Sequence, residues 1–173
     1  MTSTPNPSPP IGAVIMGVSG SGKTVVGRTV AQRLGWTFVD ADNFHPESNV
    51  AKMGDGVPLT DADRQPWLET LNKLLRSKQS EGVAVVLACS ALKRSYRLTL
   101  AEGVPGLRFV HLDVPQPVIF ERLQQRQGHF ASSALVPSQF ADLEVPDGDE
   151  ATIIDADRPK AKVIEDVVAA LQK

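Results

Sequence analysis

Three groups of residues in this 173-residue chain have types and spacing suited to chemistry on a phosphate. One is Gly17-Val18-Ser19-Gly20-Ser21-Gly22-Lys23-Thr24, which fits the phosphate-loop pattern G-x-x-x-x-G-K-[ST]. Successive backbone N–H groups turn inward around an anion only where side chains do not block them, which is the part Gly17, Gly20 and Gly22 play. Lys23 can then reach the outer phosphates of a nucleotide, and the Thr24 hydroxyl is placed for Mg²⁺. Asp40-Ala41-Asp42 forms another group. Carboxylates so spaced at a strand end splay around the rim, so that one can face a metal and the other an acceptor hydroxyl whose proton it takes. Asp42 with Asn43 also reads as plain turn chemistry. Finally, Arg122 and Arg126 stand at i, i+4 on a helix ended by Gly128. Arginines there can neutralise charge spreading over a transferring phosphoryl group, the plainer alternative being an ion pair of Arg122 with Glu121.

These groups follow apolar runs whose pattern is that of alternating strands and helices. Ala13 to Met16 leads into the glycine loop as a buried strand, and Lys23 to Leu34 leaves it as an amphipathic helix closed by Gly35. Trp36 to Asp40 reads as a second strand. A polar, turn-rich stretch from Ala41 to about Thr60 precedes a helix capped by Asp61, with Trp67, Leu68, Leu71, Leu74 and Leu75 at helical spacing. Val83 to Cys89 is the most continuous apolar run, as a central parallel strand requires. Further on come a helix over Ala91 to Ala101, a strand over Leu107 to Leu112, and a helix from Pro115 to about Gln127. A short helix over Ser138 to Leu143, a strand over Thr152 to Asp155 and a helix over Pro159 to Leu171 complete the series. The prediction is an α/β fold: a three-layer α/β/α domain over residues 11–173 with a five-stranded parallel sheet. A substrate-binding insertion at about 41–81 and a lid at about 122–146 lie at the carboxyl ends of its strands, where open sheets bind ligands. The proline-rich residues 1–10 read as a disordered tail.

Composition narrows the function. A formal charge of −2 carries no excess of base, so neither nucleic acid nor a membrane surface is expected as a partner. No apolar run approaches membrane-spanning length. The single Cys89 and the lack of metal-spaced Cys/His clusters leave no internal disulfide and no structural zinc, a reduced cytoplasmic composition. A guanine-nucleotide switch would need N-K-x-D and D-x-x-G, but Asn72-Lys73 is followed by two leucines and no glycine stands three residues after an aspartate. Phosphoryl transfer to a small acceptor is the main reading, with a pure nucleotide-binding module as the alternative. His45, Lys52, Arg64 and Trp67 in the insertion would suit a polyhydroxy acid, although each alone is weak evidence, His45 reading also as a surface or capping residue and Lys52 as a solvated charge. Lys93, Arg94 and Arg97 at a helix start oppose its dipole and imply either a bound anion or a solvated face. His111, within a strand, reads as packed. Asp155 to Pro159, including Arg158, follows the last strand, where it could wrap an adenine or form an ordinary turn.

Together these stretches resemble the bacterial-type gluconokinases of the phosphate-loop, shikimate/adenylate kinase-like superfamily. The resemblance rests on Met16 to Thr24, Asp40-Ala41-Asp42 with His45-Pro46, Asn49 through Lys52-Met53, and the run from Gly56 to Leu68. Ala88 to Lys93 with Tyr96-Arg97, and Arg126 to Phe130 with Ser138-Gln139, extend it. It implies ATP- and Mg²⁺-dependent phosphorylation of D-gluconate to 6-phosphogluconate by a homodimer. By similarity, Gly17 to Thr24 and Arg158 would hold ATP, Thr24 and Asp40 the metal, and Asp42 the acceptor hydroxyl, with Lys23, Arg122 and Arg126 assisting transfer. His45, Lys52, Arg97 and His129 are the candidates for the gluconate carboxylate and hydroxyls, with Arg64 a structural anchor for the insertion. Shikimate kinase is the runner-up, but Ala88-Cys89-Ser90-Ala91 stands where its glycine-rich turn would be.

Overall fold

Every residue of β1 (Gly12–Met16) is buried, so this strand has no solvent face and must lie between two layers. Ala13 and Ile15 point into one core, Val14 and Met16 into the other. The structure, a computed structural model, describes residues 12–126 and 133–173. Parallel to β1 run β3 (Val85–Ala88) on one side and β4 (Leu107–Asp113) on the other. Outside them lie β2 (Thr37–Asp40) against β3 and β5 (Ala151–Asp155) against β4, giving the order β2-β3-β1-β4-β5. Ala88 is in register with both Ile15 and Asp40, so the loop after β1 and the carboxylates after β2 share one rim.

Seven helices cover the sheet among the described residues: α1 (Lys23–Leu34), α2 (Glu47–Gly54), α3 (Asp61–Ser80), α4 (Arg94–Ala101), α5 (Gln116–Gln124), α6 (Val136–Asp142) and α7 (Lys160–Leu171). Val26 and Val30 of α1, Ile119 and Leu123 of α5, and Val163 and Val167 of α7 fill one core. Trp67, Leu71 and Leu75 of α3 with Tyr96 and Leu100 of α4 fill the other. The three expected layers are therefore present. None of the described helices is long and apolar enough to cross a membrane.

Three local differences from the sequence reading have physical causes. The stretch after β2 is not all turn: it holds a 3₁₀ turn (Ala41–Phe44) and α2, whose only buried residue is the polar Asn49. A helix without an apolar stripe leaves no periodic signal. Likewise α4 begins at Arg94 instead of Ala91, because Ala91 adopts φ 46°, a left-handed conformation that no helix contains. The cap of α3 also moves by one residue. Thr60 is the N-cap, and its hydroxyl and the Asp63 carboxylate bond reciprocally to each other's backbone N–H groups.

His111 on β4 is packed, as its strand position suggested, and its Nδ1 has no hydrogen-bond partner among the described residues. Burial lowers its pKa below 6.5, with Asp113 opposing and Arg97 reinforcing the fall. A histidine held neutral contributes stability that is present above its unfolded pKa and is lost as pH falls through the folded one. The urea midpoint should therefore drop on acidification below about pH 6.5, and His111→Leu should shrink that drop. Urea titrations of both proteins at several pH values measure it.

Candidate active site

Between β1 and α1 the chain must reverse and still present its amides. Gly22 does this at φ 99° as the N-cap of α1, a helix whose first turn has neither an acidic residue nor a side-chain cap. At Gly17 a Cβ would lie 2.8 Å from the Ser21 Oγ and 3.0 Å from the Leu112 carbonyl, so only glycine fits. The Ser21 hydroxyl is buried and finds no partner among the described residues. Lys23 donates to the Val18 carbonyl at 2.9 Å, inside the loop itself. Burial lowers its pKa, against the pull of Asp42 and Asp40. A desolvated ammonium, an orphaned hydroxyl and an uncapped helix start converge on one place, and a polyphosphate satisfies all three.

Asp40 and Asp42 differ in their contacts. The Thr24 hydroxyl donates to Asp40 Oδ2 at 3.2 Å, and the Asp42 N–H donates to Asp40 Oδ1 at 3.0 Å. Thr24 and Asp40 thus form the one-hydroxyl, one-carboxylate set that suits Mg²⁺ when phosphate and water complete its shell. No cluster of three His, Cys, Asp or Glu that could hold a metal alone occurs among the described residues. The Asp42 side chain is 81 % exposed and lines both the small cavity over Thr24 and Asp40 and a neighbouring one of about 490 Å³.

That cavity lies between the phosphate loop, the insertion and α6. Ser19, Lys23, Asp42, His45, Arg64, Trp67, Ser90, Ser138 and Gln139 supply its polar or aromatic lining. Trp67 organises one wall. Its indole N–H donates to the Ala41 carbonyl at 2.8 Å, and its ring stacks on His45 at 4.0 Å. Asn49 fixes the imidazole further: its Nδ2 donates to the Asp63 carbonyl at 2.9 Å and lies 3.3 Å from His45 Nδ1. Since that amide nitrogen can only donate, Nδ1 accepts and the proton sits on Nε2, 3.9 Å from Asp42 Oδ1. Burial, opposed by Asp42, lowers the His45 pKa, so the ring is a neutral donor.

Several other sequence candidates stand elsewhere. Lys52 is bonded at 2.9 Å to both carboxylate oxygens of Asp63, whose pKa falls to about 2, first through the Thr60 N–H and then through Lys52. It clamps α2 to α3. Arg97 is buried: it pairs with Glu150 at 2.6 Å and donates to the carbonyls of Ala91, Leu92 and Glu144. The anion implied by the basic start of α4 is thus the protein's own, since Lys93 likewise meets Asp61 at 2.9 Å. Neither Lys52 nor Arg97 lines the cavity. Arg64, an expected anchor, does line it while donating to the Tyr96 hydroxyl at 2.8 Å and to Asp142 at 3.1 Å. His129 lies outside the described residues.

On the other side of the phosphate loop, a cavity of about 340 Å³ gathers Arg122, Arg126, Arg158 and Lys160. Arg122 spends its donors on the Gly20 and Ala156 carbonyls, at 3.4 and 2.8 Å. Arg158 reaches the Asp155 carbonyl at 2.9 Å and the Asp166 carboxylate. Arg126 alone also lines the small cavity over Lys23, Thr24, Asp40 and Asp42. The single cysteine, Cys89, ends β3 beneath this rim, where burial pushes its thiol to about 12. Sequence reasoning assigned no role to Asn49 and Gln139, for which the only signal was their place in the motifs of the resemblance.

A parallel sheet of this order and a glycine loop around a partly buried lysine, beside a polar cavity lined by an aspartate, are the features of a phosphate-loop small-molecule kinase. A family model described as an AAA domain matches residues 13–144. The gluconokinase of Gluconobacter oxydans is 47 % identical over 160 residues, covering 92 % of this chain and 90 % of its own. The crystal structure of a gluconokinase from Sinorhizobium meliloti superposes with a TM-score of 0.85 at 43 % identity, over 94 % of this chain and 91 % of that one. A sugar kinase from Janibacter gives 0.88 at 42 %, over 95 % and 99 %. The chain belongs to the gluconokinase family.

Arg97→Ala should lower stability by about 3 kcal/mol, because it leaves three carbonyls and the partly exposed Glu150 carboxylate without their partner. Chemical denaturation checks this. If Arg97 bound substrate instead, the variant would keep its denaturation midpoint and lose acceptor affinity.

Proposed function

We propose that this chain transfers the terminal phosphoryl group of ATP to the terminal hydroxyl of D-gluconate, releasing ADP and 6-phosphogluconate. The observation that carries the reading is the placement of Asp42, on the wall shared by the phosphate-loop cavity and the acceptor cavity. Family membership supports the choice of acceptor, and the cavity's polar lining suits a sugar acid better than an apolar ligand.

Bound Mg·ATP would supply the phosphoryl group and neutralise its oxygens. Within the protein, the amides of the Gly17–Thr24 loop that are not already engaged, as those of Gly17, Ser19 and Ser21 are, cradle the phosphates, and Lys23 balances their charge. Thr24 and Asp40 are the residues that would hold the metal. Asp42 accepts the proton of the gluconate hydroxyl as its oxygen bonds to phosphorus. The His45 Nε2–H, fixed by Trp67 and Asn49, donates to a substrate oxygen beside Asp42. Arg126, which makes no side-chain hydrogen bond to any described residue, neutralises charge developing on the transferring group. Arg122 and Arg158 shape the nucleotide side of the loop, Arg122 by bracing the Gly20 carbonyl. The reading includes a homodimer in the cytoplasm, as the resemblance implies; light scattering of the purified chain tests the dimer.

ADP release measured with Mg·ATP and gluconate, shikimate, a nucleoside monophosphate or no acceptor tests the assignment, which requires turnover with gluconate alone. Lys23→Ala should abolish that turnover in a folded protein. Asp42→Asn should lower kcat by roughly 10²–10⁴ with nucleotide affinity nearly unchanged. A rise in nucleotide Kd without loss of kcat would move Asp42 out of the acceptor site.

A further inference from the structure

Ser19 belongs to two cavities at once. With Lys23 and Asp42 it lines both the acceptor cavity and the small one above the phosphate loop. A phosphoryl group passing from nucleotide to acceptor has to cross the junction these three residues mark. Gln139, on α6, reaches that junction: the Ser19 N–H donates to its Oε1 at 2.6 Å. A backbone N–H can only donate, so the carboxamide orientation is fixed, with oxygen on the phosphate loop and both Nε2 hydrogens on the other side. Gln139 also lines the acceptor cavity, and no described residue accepts a hydrogen bond from its Nε2.

We infer that Gln139 positions the acceptor, its two Nε2 hydrogens donating to an oxygen of the sugar acid at the junction while Ser19 holds the carboxamide still. The inference rests on the gluconate reading above and adds a contact to it. Its chemistry complements that of Asp42. The carboxylate takes a proton from the hydroxyl, whereas Gln139 offers hydrogens to lone pairs, so an acceptor needs a hydroxyl and a second oxygen within reach. Because Ser19 is part of the phosphate loop, the donor is indexed to the nucleotide and not to the insertion that carries His45 and Trp67.

Two substitutions separate anchoring from donation. Gln139→Glu keeps the shape and an oxygen for the Ser19 N–H but replaces both donor hydrogens with lone pairs and a charge. Gln139→Met removes anchor and donor together. With gluconate, kcat/KM of Gln139→Glu should fall about 100-fold, mostly through KM, while its Kd for ADP by calorimetry stays within about threefold of wild type. Gln139→Met should lose at least about tenfold in the same parameter. If Gln139 only braces α6, Gln139→Glu retains a wild-type gluconate KM, and that result overturns the inference. An ADP affinity that falls in step with gluconate turnover also overturns it, by moving Gln139 to the nucleotide site. Wild-type enzyme on gluconate is the control: no turnover there removes the gluconate reading together with this one, whereas normal wild-type turnover with an indifferent Gln139→Glu removes only the role of Gln139.

Discussion

Burial of the Lys23 ammonium at the carboxyl edge of the sheet is the constraint on which the surrounding structure depends. Desolvation disfavours its charge, and the protein answers with the Val18 carbonyl and with Asp40 and Asp42 across the rim. Those carboxylates can stand there only because β2 and β1 are both in register with β3, which brings Asp40 level with the end of β1. Under the reading proposed above, nucleotide phosphates would join these groups around the ammonium, so the fold and the reaction would meet at one desolvated cation.

Two side-chain hubs keep the rim in place from opposite directions. Trp67 ties α3 to the Ala41 carbonyl and stacks on His45, so the second core reaches directly to the acceptor wall. Arg97 ties the turn after β3 to Glu144 and Glu150, fixing the carbonyls on either side of the left-handed Ala91–Leu92 step. Left-handed backbone at a buried alanine is strained and persists only when its surroundings overdetermine it. Here four hydrogen-bonded groups around one guanidinium do so, and Ser90, just before the strained residue, is thereby presented to the cavity.

The sheet was legible because its central strands β1 and β3 are apolar on both faces and its helices, apart from α2, carry stripes. The phosphate loop was legible because its glycines and lysine have one common use. Less legible were residues whose role depends on what the fold sets opposite them. Lys52 and Arg97 look like anion binders in the chain, but Asp63 and Glu150 meet them from 11 and 53 residues away. Asn49 looks like an ordinary polar residue, yet it fixes which imidazole nitrogen of His45 carries the proton. Gln139 is 120 residues from the Ser19 amide it receives. Long-range polar pairing has no periodicity to betray it, so only topology could reveal these contacts.

The chain has a single cysteine, and its place at the end of β3 gives it an unexpected practical property. Reactivity toward alkylating and oxidising reagents belongs to the thiolate, and a thiol pushed to about 12 is almost wholly protonated at neutral pH. The native protein is therefore a near-silent background for maleimide chemistry. A cysteine introduced on the exposed faces of α6 or α2 would carry a fluorophore at one defined position without removal of Cys89. Changes in the surroundings of that wall of the acceptor cavity could then be followed spectroscopically in an otherwise unaltered enzyme.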